Sequence, residues 1–175
     1  FHFPTHRLHL WLFTFNHVVV LIKYINTMST YTQIIYQIVF CTKNREQTLA
    51  KPNRDELYKY IWGILKSKNC HLYRIGGIED HIHIVTHIHP SIALAKLVKD
   101  IKLASSDYIK VNKLFPDFDS WQVGYGAFTY SIKEKENLIQ YVKNQEIHHG
   151  SMTYKEELIQ LLNEHAVEFD EMYLF

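Results

Sequence analysis

An α+β fold built on a four-stranded antiparallel sheet is what three features of this sequence predict. Apolar, β-branched runs alternate with helical stripes in the order β-α-β-β-α-β. Gly76-Gly77 joins two of the strands as a tight hairpin. Capping boxes at Ser131 and Thr153 then start further helices after the last strand. This is the split βαβ, or ferredoxin-like (RRM-like), arrangement. Helices are expected on one face of the sheet, with the other face free for a ligand. A C-terminal tyrosine-bearing helix and a tail follow.

The elements take their limits from local chemistry. Tyr31 to Thr42, rich in Ile, Val, Tyr and Phe, reads as a central strand. Pro52-Asn53 opens a helix with Leu57, Tyr60, Ile61, Ile64 and Leu65 on one stripe. Cys70 to Ile75 and Ile78 to about Ile88 form the hairpin strands. Pro90-Ser91 starts a second helix, apolar at Leu94, Leu97, Val98 and Ile101. Trp121 to Thr129 is the fourth strand, with Gly124 and Gly126 marking a bulge or a close backbone approach. A helix from Ile132 to about Ile147 carries Tyr141, and one after Thr153 carries Leu158, Leu161 and Leu162.

The 175 residues favour one principal domain with a substantial core. Net charge is only +1, so bulk charge does not mark a nucleic-acid protein. The distribution is uneven, with 16 Lys and Arg against 12 Asp and Glu in residues 28–150, but 1 against 6 in residues 151–175. Cys41 and Cys70 lie far apart in strand-like runs, which suits a reducing cytoplasm and excludes a disulfide framework. Residues 1–27 differ in character. The stretch from Leu8 to Ile25 is apolar but interrupted by His9, Asn16, His17 and Lys23, and it lacks a signal-type cleavage site. Met28 reads as the natural start and residues 1–27 as an extension outside the fold, with a membrane anchor as the alternative. The expected divisions are therefore 1–27, a catalytic domain over 28–150, and a C-terminal helix with an acidic tail over 151–175.

The chemistry centres on His81-Ile82-His83. Alternate residues of a strand share a face, so the two imidazoles stand about 7 Å apart along the strand. They form half of a metal site, or two histidines on a half-buried strand. On the later helix, Tyr141 and Gln145 are four residues apart and share a face. If that face lies over the histidine strand, two imidazoles, an amide oxygen and a phenol meet. Such a set suits Mg²⁺ or Mn²⁺, with other oxygen ligands completing the shell. A structural zinc is disfavoured because no thiolates accompany the histidines. Tyr141 could then attack a phosphodiester, or it packs its ring on the sheet. Lys43, Arg45, Lys99 and Lys102 are candidate phosphate contacts or solvated charges. Tyr125 and Phe128 could stack on bases or fill the core. Glu79 and Asp80 could orient a histidine or serve the hairpin turn. His87 and His89 read as solvent-facing strand-end residues.

Five ordered blocks carry a resemblance. They are Gln37–Arg45, Gly76–His83, Leu97–Lys102 with Ser105-Ser106, Trp121–Phe128 and Tyr141–His149. From about Tyr31 onward the chain resembles the single-tyrosine HUH transposases, which move insertion sequences as single-stranded DNA. That resemblance implies that His81 and His83 bind the metal and Gln145 adds a ligand. It implies that Tyr141 is the nucleophile that becomes linked to a 5′-phosphate, leaving a free 3′-OH and needing no ATP. It further implies a homodimer acting on single-stranded DNA with hairpins at transposon ends. The expected location is the cytoplasm, with no membrane partner. Two other readings remain: a non-catalytic binder of DNA or RNA hairpins, and a metal phosphodiesterase using water. A replication initiator or relaxase of the wider class is disfavoured by the small size and the single tyrosine.

Overall fold

The computed structural model describes residues 14–15, 18–19, 31–148 and 152–174. The chain divides into two compact units, residues 1–31 and 32–175. In the first, β1 (Thr14–Phe15) pairs antiparallel with β2 (Val18–Val19). The expectations about residues 1–27, the anchor included, otherwise lie outside the described residues. Among those described, no helix is long and apolar enough to cross a membrane.

The second unit runs β3 (Ile35–Cys41), α1 (Lys51–Ser67), β4 (His71–Gly77), β5 (His81–His87), α2 (Leu94–Asn112) and β6 (Gly126–Tyr130). The helices α3 (Lys135–Lys143), α4 (Gln145–His148) and α5 (Tyr154–Glu164) follow. The sheet order is β4-β5-β3-β6, antiparallel throughout. This is the ferredoxin-like topology read from the element order.

Strand alternation sorts the core into two layers. Ile38 and Phe40 of β3, with Ile82 and Ile84 of β5, face α1 and α2 and pack with Leu57, Ile61, Leu97 and Ile101. Ile35, Gln37, Val39 and Cys41 take the opposite face, and with them His81, His83 and Val85. That face is covered, contrary to the expectation of an open one. Leu138 and Val142 of α3 pack on Ile35 and Val85, while Tyr154, Leu158 and Leu161 of α5 pack on Val39, Cys41 and Phe128. The apolar residues that share the histidines' face, Ile35, Val39, Cys41 and Val85, have to be buried, and the two C-terminal helices supply the cover.

Four elements differ from their sequence-based limits. The hairpin turn falls at residues 78–80, closed by the Ile78 amide on the His81 carbonyl (3.1 Å), so Gly76 and Gly77 pair within β4 against His83 and Ile82 instead of forming the turn. The second helix begins at Leu94, because residues 89–92 form a turn closed by the Ile92 amide on the His89 carbonyl (2.9 Å). The fourth strand begins at Gly126 rather than Trp121. Trp121 sits in the core edge-on to Phe40 (4.9 Å between centroids), and its indole N–H donates to Ser105 Oγ (2.9 Å). Lys102 donates to the carbonyls of Gln122 and Gly124, which pulls this segment out of the ladder. The long helix breaks at Asn144 (φ −95°, ψ 17°), so Tyr141 lies in the last turn of α3 and Gln145 opens α4.

α3 crosses β4 closely because Gly76 lacks a side chain. A Cβ there would lie 2.4 Å from the Val142 carbonyl oxygen. Gly76→Ala therefore pushes α3, and Tyr141 with it, away from the sheet. The expected cost is about 1–3 kcal/mol of stability, measured as a lowered denaturant midpoint.

Candidate active site

β5 places the two imidazoles, and the strand period aims both at α3 and α5. His81 and His83 are fully buried, with ring centroids 5.0 Å apart. α5 brings Glu157 against them. Its Oε2 is 3.4 Å from His81 Nε2 and 3.3 Å from His83 Nε2. α3 and α4 bring Tyr141 and Gln145 to the same carboxylate. The Tyr141 hydroxyl donates to Glu157 Oε1, as does the Gln145 amide (2.9 Å). Gln145 Oε1 lies 3.3 Å from His81 Nε2. The expected meeting of His81, His83, Gln145 and Tyr141 therefore takes place around a fifth residue, Glu157.

Glu157 was not a candidate on sequence grounds, yet it leaves a signal. Tyr154, Leu158, Leu161 and Leu162 form an apolar stripe at helical spacing, and Glu157 lies within it. A carboxylate in the buried stripe of a short helix requires partners. Gln37, likewise missed, is a lone amide in an otherwise apolar strand.

Outer groups fix the imidazoles. His81 Nδ1–H donates to Asp80 Oδ1 (2.6 Å), so Asp80 takes the orienting role. Glu79 instead pairs with Arg54 (2.6 Å). The Tyr130 hydroxyl donates to Gln37 Oε1 (2.7 Å), which turns the Gln37 amide nitrogen toward His83 Nδ1 (2.9 Å). The Gln37 amide thus holds His83 at Nδ1 and leaves Nε2 facing Glu157. The Tyr154 ring lies against His81, 4.7 Å between centroids.

The electrostatics follow from burial among carboxylates. Desolvation opposes a charged His81, but Asp80 and Glu157 on its two nitrogens outweigh it and raise its pKa to about 9. Burial, with the Glu157 carboxylate beside it, pushes the Tyr141 phenol well above its usual range. As arranged, the phenol is a hydrogen-bond donor and not yet a nucleophile.

The donor chemistry fits a divalent cation. His81, His83 and Glu157 each offer a ligand atom, all within 4.8 Å of one another, and Gln145 adds an amide oxygen. Two imidazoles with oxygen donors and no thiolate suit borderline divalent ions. Among the described residues this is the one such cluster. His87 instead meets the Ile34 carbonyl and His89 the Ser91 hydroxyl.

The other candidates scatter. Lys43 and Arg45 lie on the short turn after β3, at the His81 end of the sheet, and Lys43 is paired with Asp119 (2.7 Å). Lys99 is exposed on α2, while the Lys102 ammonium is held by the two loop carbonyls. Phe128 is buried in the α5 layer and unavailable for base stacking, whereas Tyr125 is 40% exposed.

A ferredoxin-like sheet with a His-hydrophobic-His pair on a central strand, and a tyrosine helix over the same face, defines the HUH single-tyrosine class of transposases. The family model described as "Transposase IS200 like" matches residues 30–145, and the chain belongs to that family. It is 23% identical over 118 residues to the ISDra2 transposase TnpA of Deinococcus radiodurans, covering 65% of this chain and 84% of that protein. Two solved structures share the fold. One is a crystal structure at 1.90 Å from Deinococcus radiodurans R1, assigned as a transposase (TM-score 0.53, 22% identity, 69% of this chain and 98% of that one). The other is a REP-associated tyrosine transposase bound to a REP hairpin (TM-score 0.52, 14% identity, 71% and 76%). At the level of the family, this is a metal-dependent transposase.

Two outcomes follow for the site. Asp80→Asn loosens His81 and weakens Mn²⁺ binding about 10–100-fold by titration calorimetry. His81 also links stability to pH. Its folded pKa is raised from 6.5 to about 9, so the folded form binds the extra proton between those values. With chelator present, that stabilisation is complete below about pH 6.5 and lost as pH rises through about 9. Unfolding curves across this window should flatten in His81→Gln.

Proposed function

We propose that the protein cleaves and rejoins single-stranded DNA at insertion-sequence ends through a 5′-phosphotyrosine intermediate. The observation that carries this reading is the convergence of Tyr141, His81, His83 and Gln145 on one buried carboxylate. Mg²⁺ or Mn²⁺ held by His81, His83, Glu157 and Gln145 would withdraw charge from the scissile phosphate and orient it. The chain's own groups do the rest. Tyr141 Oη forms the bond to phosphorus, and the bond to the 3′-oxygen breaks to leave a 3′-OH. Glu157 Oε1, which already accepts the phenol's hydrogen bond, stands where that proton leaves. In reverse, a 3′-OH attacks the phosphotyrosine and the phenol departs. Phosphodiester energy is kept in the covalent link, so no ATP is required.

With α5 seated, the imidazoles, Gln145 and Glu157 are shut away from solvent, whereas Tyr141 is partly exposed. A pocket of about 340 Å³ between α3 and α5 reaches Tyr141. α5 has to shift before a phosphate meets the imidazoles. The substrate proposed is single-stranded DNA with hairpins at the element's ends, bound by a homodimer. The likeness to a structure holding a REP hairpin supports that choice. Lys43, Arg45, Lys99 and Lys102 remain its proposed phosphate contacts.

The test is incubation with single-stranded DNA from the flanking genomic ends, with and without Mg²⁺ or Mn²⁺, followed by denaturing gels before and after protease. A metal-dependent, protease-sensitive adduct is expected, and Tyr141→Phe should lose it completely. Cleavage without an adduct would mark a water-using phosphodiesterase. Retarded but uncut DNA would mark a binding protein.

A further inference from the structure

A groove of about 650 Å³ runs along the outer edge of β4, between α1 on one side and α3 and α4 on the other. β4 is an edge strand, paired only with β5, so no further strand fills this side. Five cationic and two anionic side chains line it. The anionic Glu146 is already taken by Lys51 (2.5 Å) and Arg54 (3.3 Å). Lys59, Arg74 and Lys143 are exposed and enter no ion pair among the described residues. They stand on three different elements and converge on one concavity, which scattered surface charge does not do.

Aromatic faces interleave with the charges. Trp62 on α1 is 49% exposed in the groove wall, with Lys66 over its ring at 5.2 Å, and Tyr73 lies on the strand edge. Deeper in, Arg54 is 4% exposed and holds the Gly77 carbonyl (2.7 Å). Arg54 Nε and the adjacent Tyr58 hydroxyl are buried there without completing a hydrogen bond. The groove ends at Gln145, whose amide oxygen faces His81 Nε2. Gln145 therefore stands between the groove and the candidate active site.

We propose that this groove is a binding track for single-stranded DNA adjoining the scissile phosphate, with Lys59, Arg74 and Lys143 on phosphates and Trp62 stacked on a base. Unpaired cations along a channel suit a polyanion, and exposed rings between them suit unstacked bases. Base pairs would hide the faces that Trp62 needs, so the chemistry favours a single strand over a duplex. The assignment rests on the single-stranded DNA reading above and adds to it a track outside the tyrosine centre.

The test uses the full chain, chelator, and fluorescein-labelled oligothymidylate of about 12 nucleotides, a length within the usual single-strand footprint. Anisotropy gives affinity against salt concentration. The triple variant Lys59→Gln, Arg74→Gln, Lys143→Gln is expected to flatten the log–log salt slope by about 2, at roughly 0.7 per lost phosphate contact. Trp62→Ala is expected to weaken binding about tenfold or more with the slope kept. All four side chains are exposed, so the variants should fold, and matching thermal melts check it. Unchanged slope and affinity in both variants would overturn the track, as would a parent that binds no oligothymidylate. The adduct assay on transposon-end DNA separates the two readings. Groove-dependent binding without any adduct removes the transposase chemistry and leaves the track. An adduct with unaltered groove variants does the reverse.

Discussion

The Glu157 carboxylate is the tie on which the arrangement depends. It is almost fully buried, and a buried carboxylate is tolerated only with partners on its oxygens. Those partners are two imidazoles on β5, an amide on α4 and a phenol on α3. One side chain therefore holds three layers in register: the central strand, the tyrosine helix and the C-terminal helix. Removing the carboxylate would leave a raised-pKa imidazole without half of its compensation. The protons now shared in this cluster occupy positions that ligand bonds would take.

The same group sets a tension between rest and reaction. Burial, with the Glu157 carboxylate and its hydrogen bond beside it, keeps the Tyr141 phenol protonated and poorly nucleophilic. The closeness that does so also puts the phenol beside the donors that suit a divalent cation. Site formation and phenol activation are thus properties of one cluster. α5 is the element that both completes the cluster and covers it.

Support for the site extends outward in the sheet. Asp80 at the start of β5, and Gln37 with Tyr130 across β3 and β6, hold the far nitrogens of the imidazoles. On the other side, Arg54 ties α1 to the β4 carbonyl, the hairpin and α4. The groove proposed for DNA and the tyrosine centre share this frame, because Gln145 borders both.

The strand pattern, the Gly76-Gly77 hairpin and the period-two placement of His81 and His83 were determined by local sequence. Each depends only on near neighbours. The structure shows the strand order and the histidine placement, but it moves the hairpin turn to residues 78–80 and pairs Gly76 and Gly77 within β4. The four-residue spacing of Tyr141 and Gln145 was equally legible, although the break at Asn144 was not. Tertiary structure alone decided that the second face of the sheet is closed. It also decided that Glu157, about 75 residues along the chain from the histidines, sits against both of them. Periodicity marked Glu157 as a carboxylate in an apolar stripe, but a stripe does not say which surface it meets. Trp121 shows the same limit. Its residue type suits a strand, yet packing against Phe40 gave it a place in the core. Local chemistry sets which residues can share a face, and long-range burial selects which faces meet.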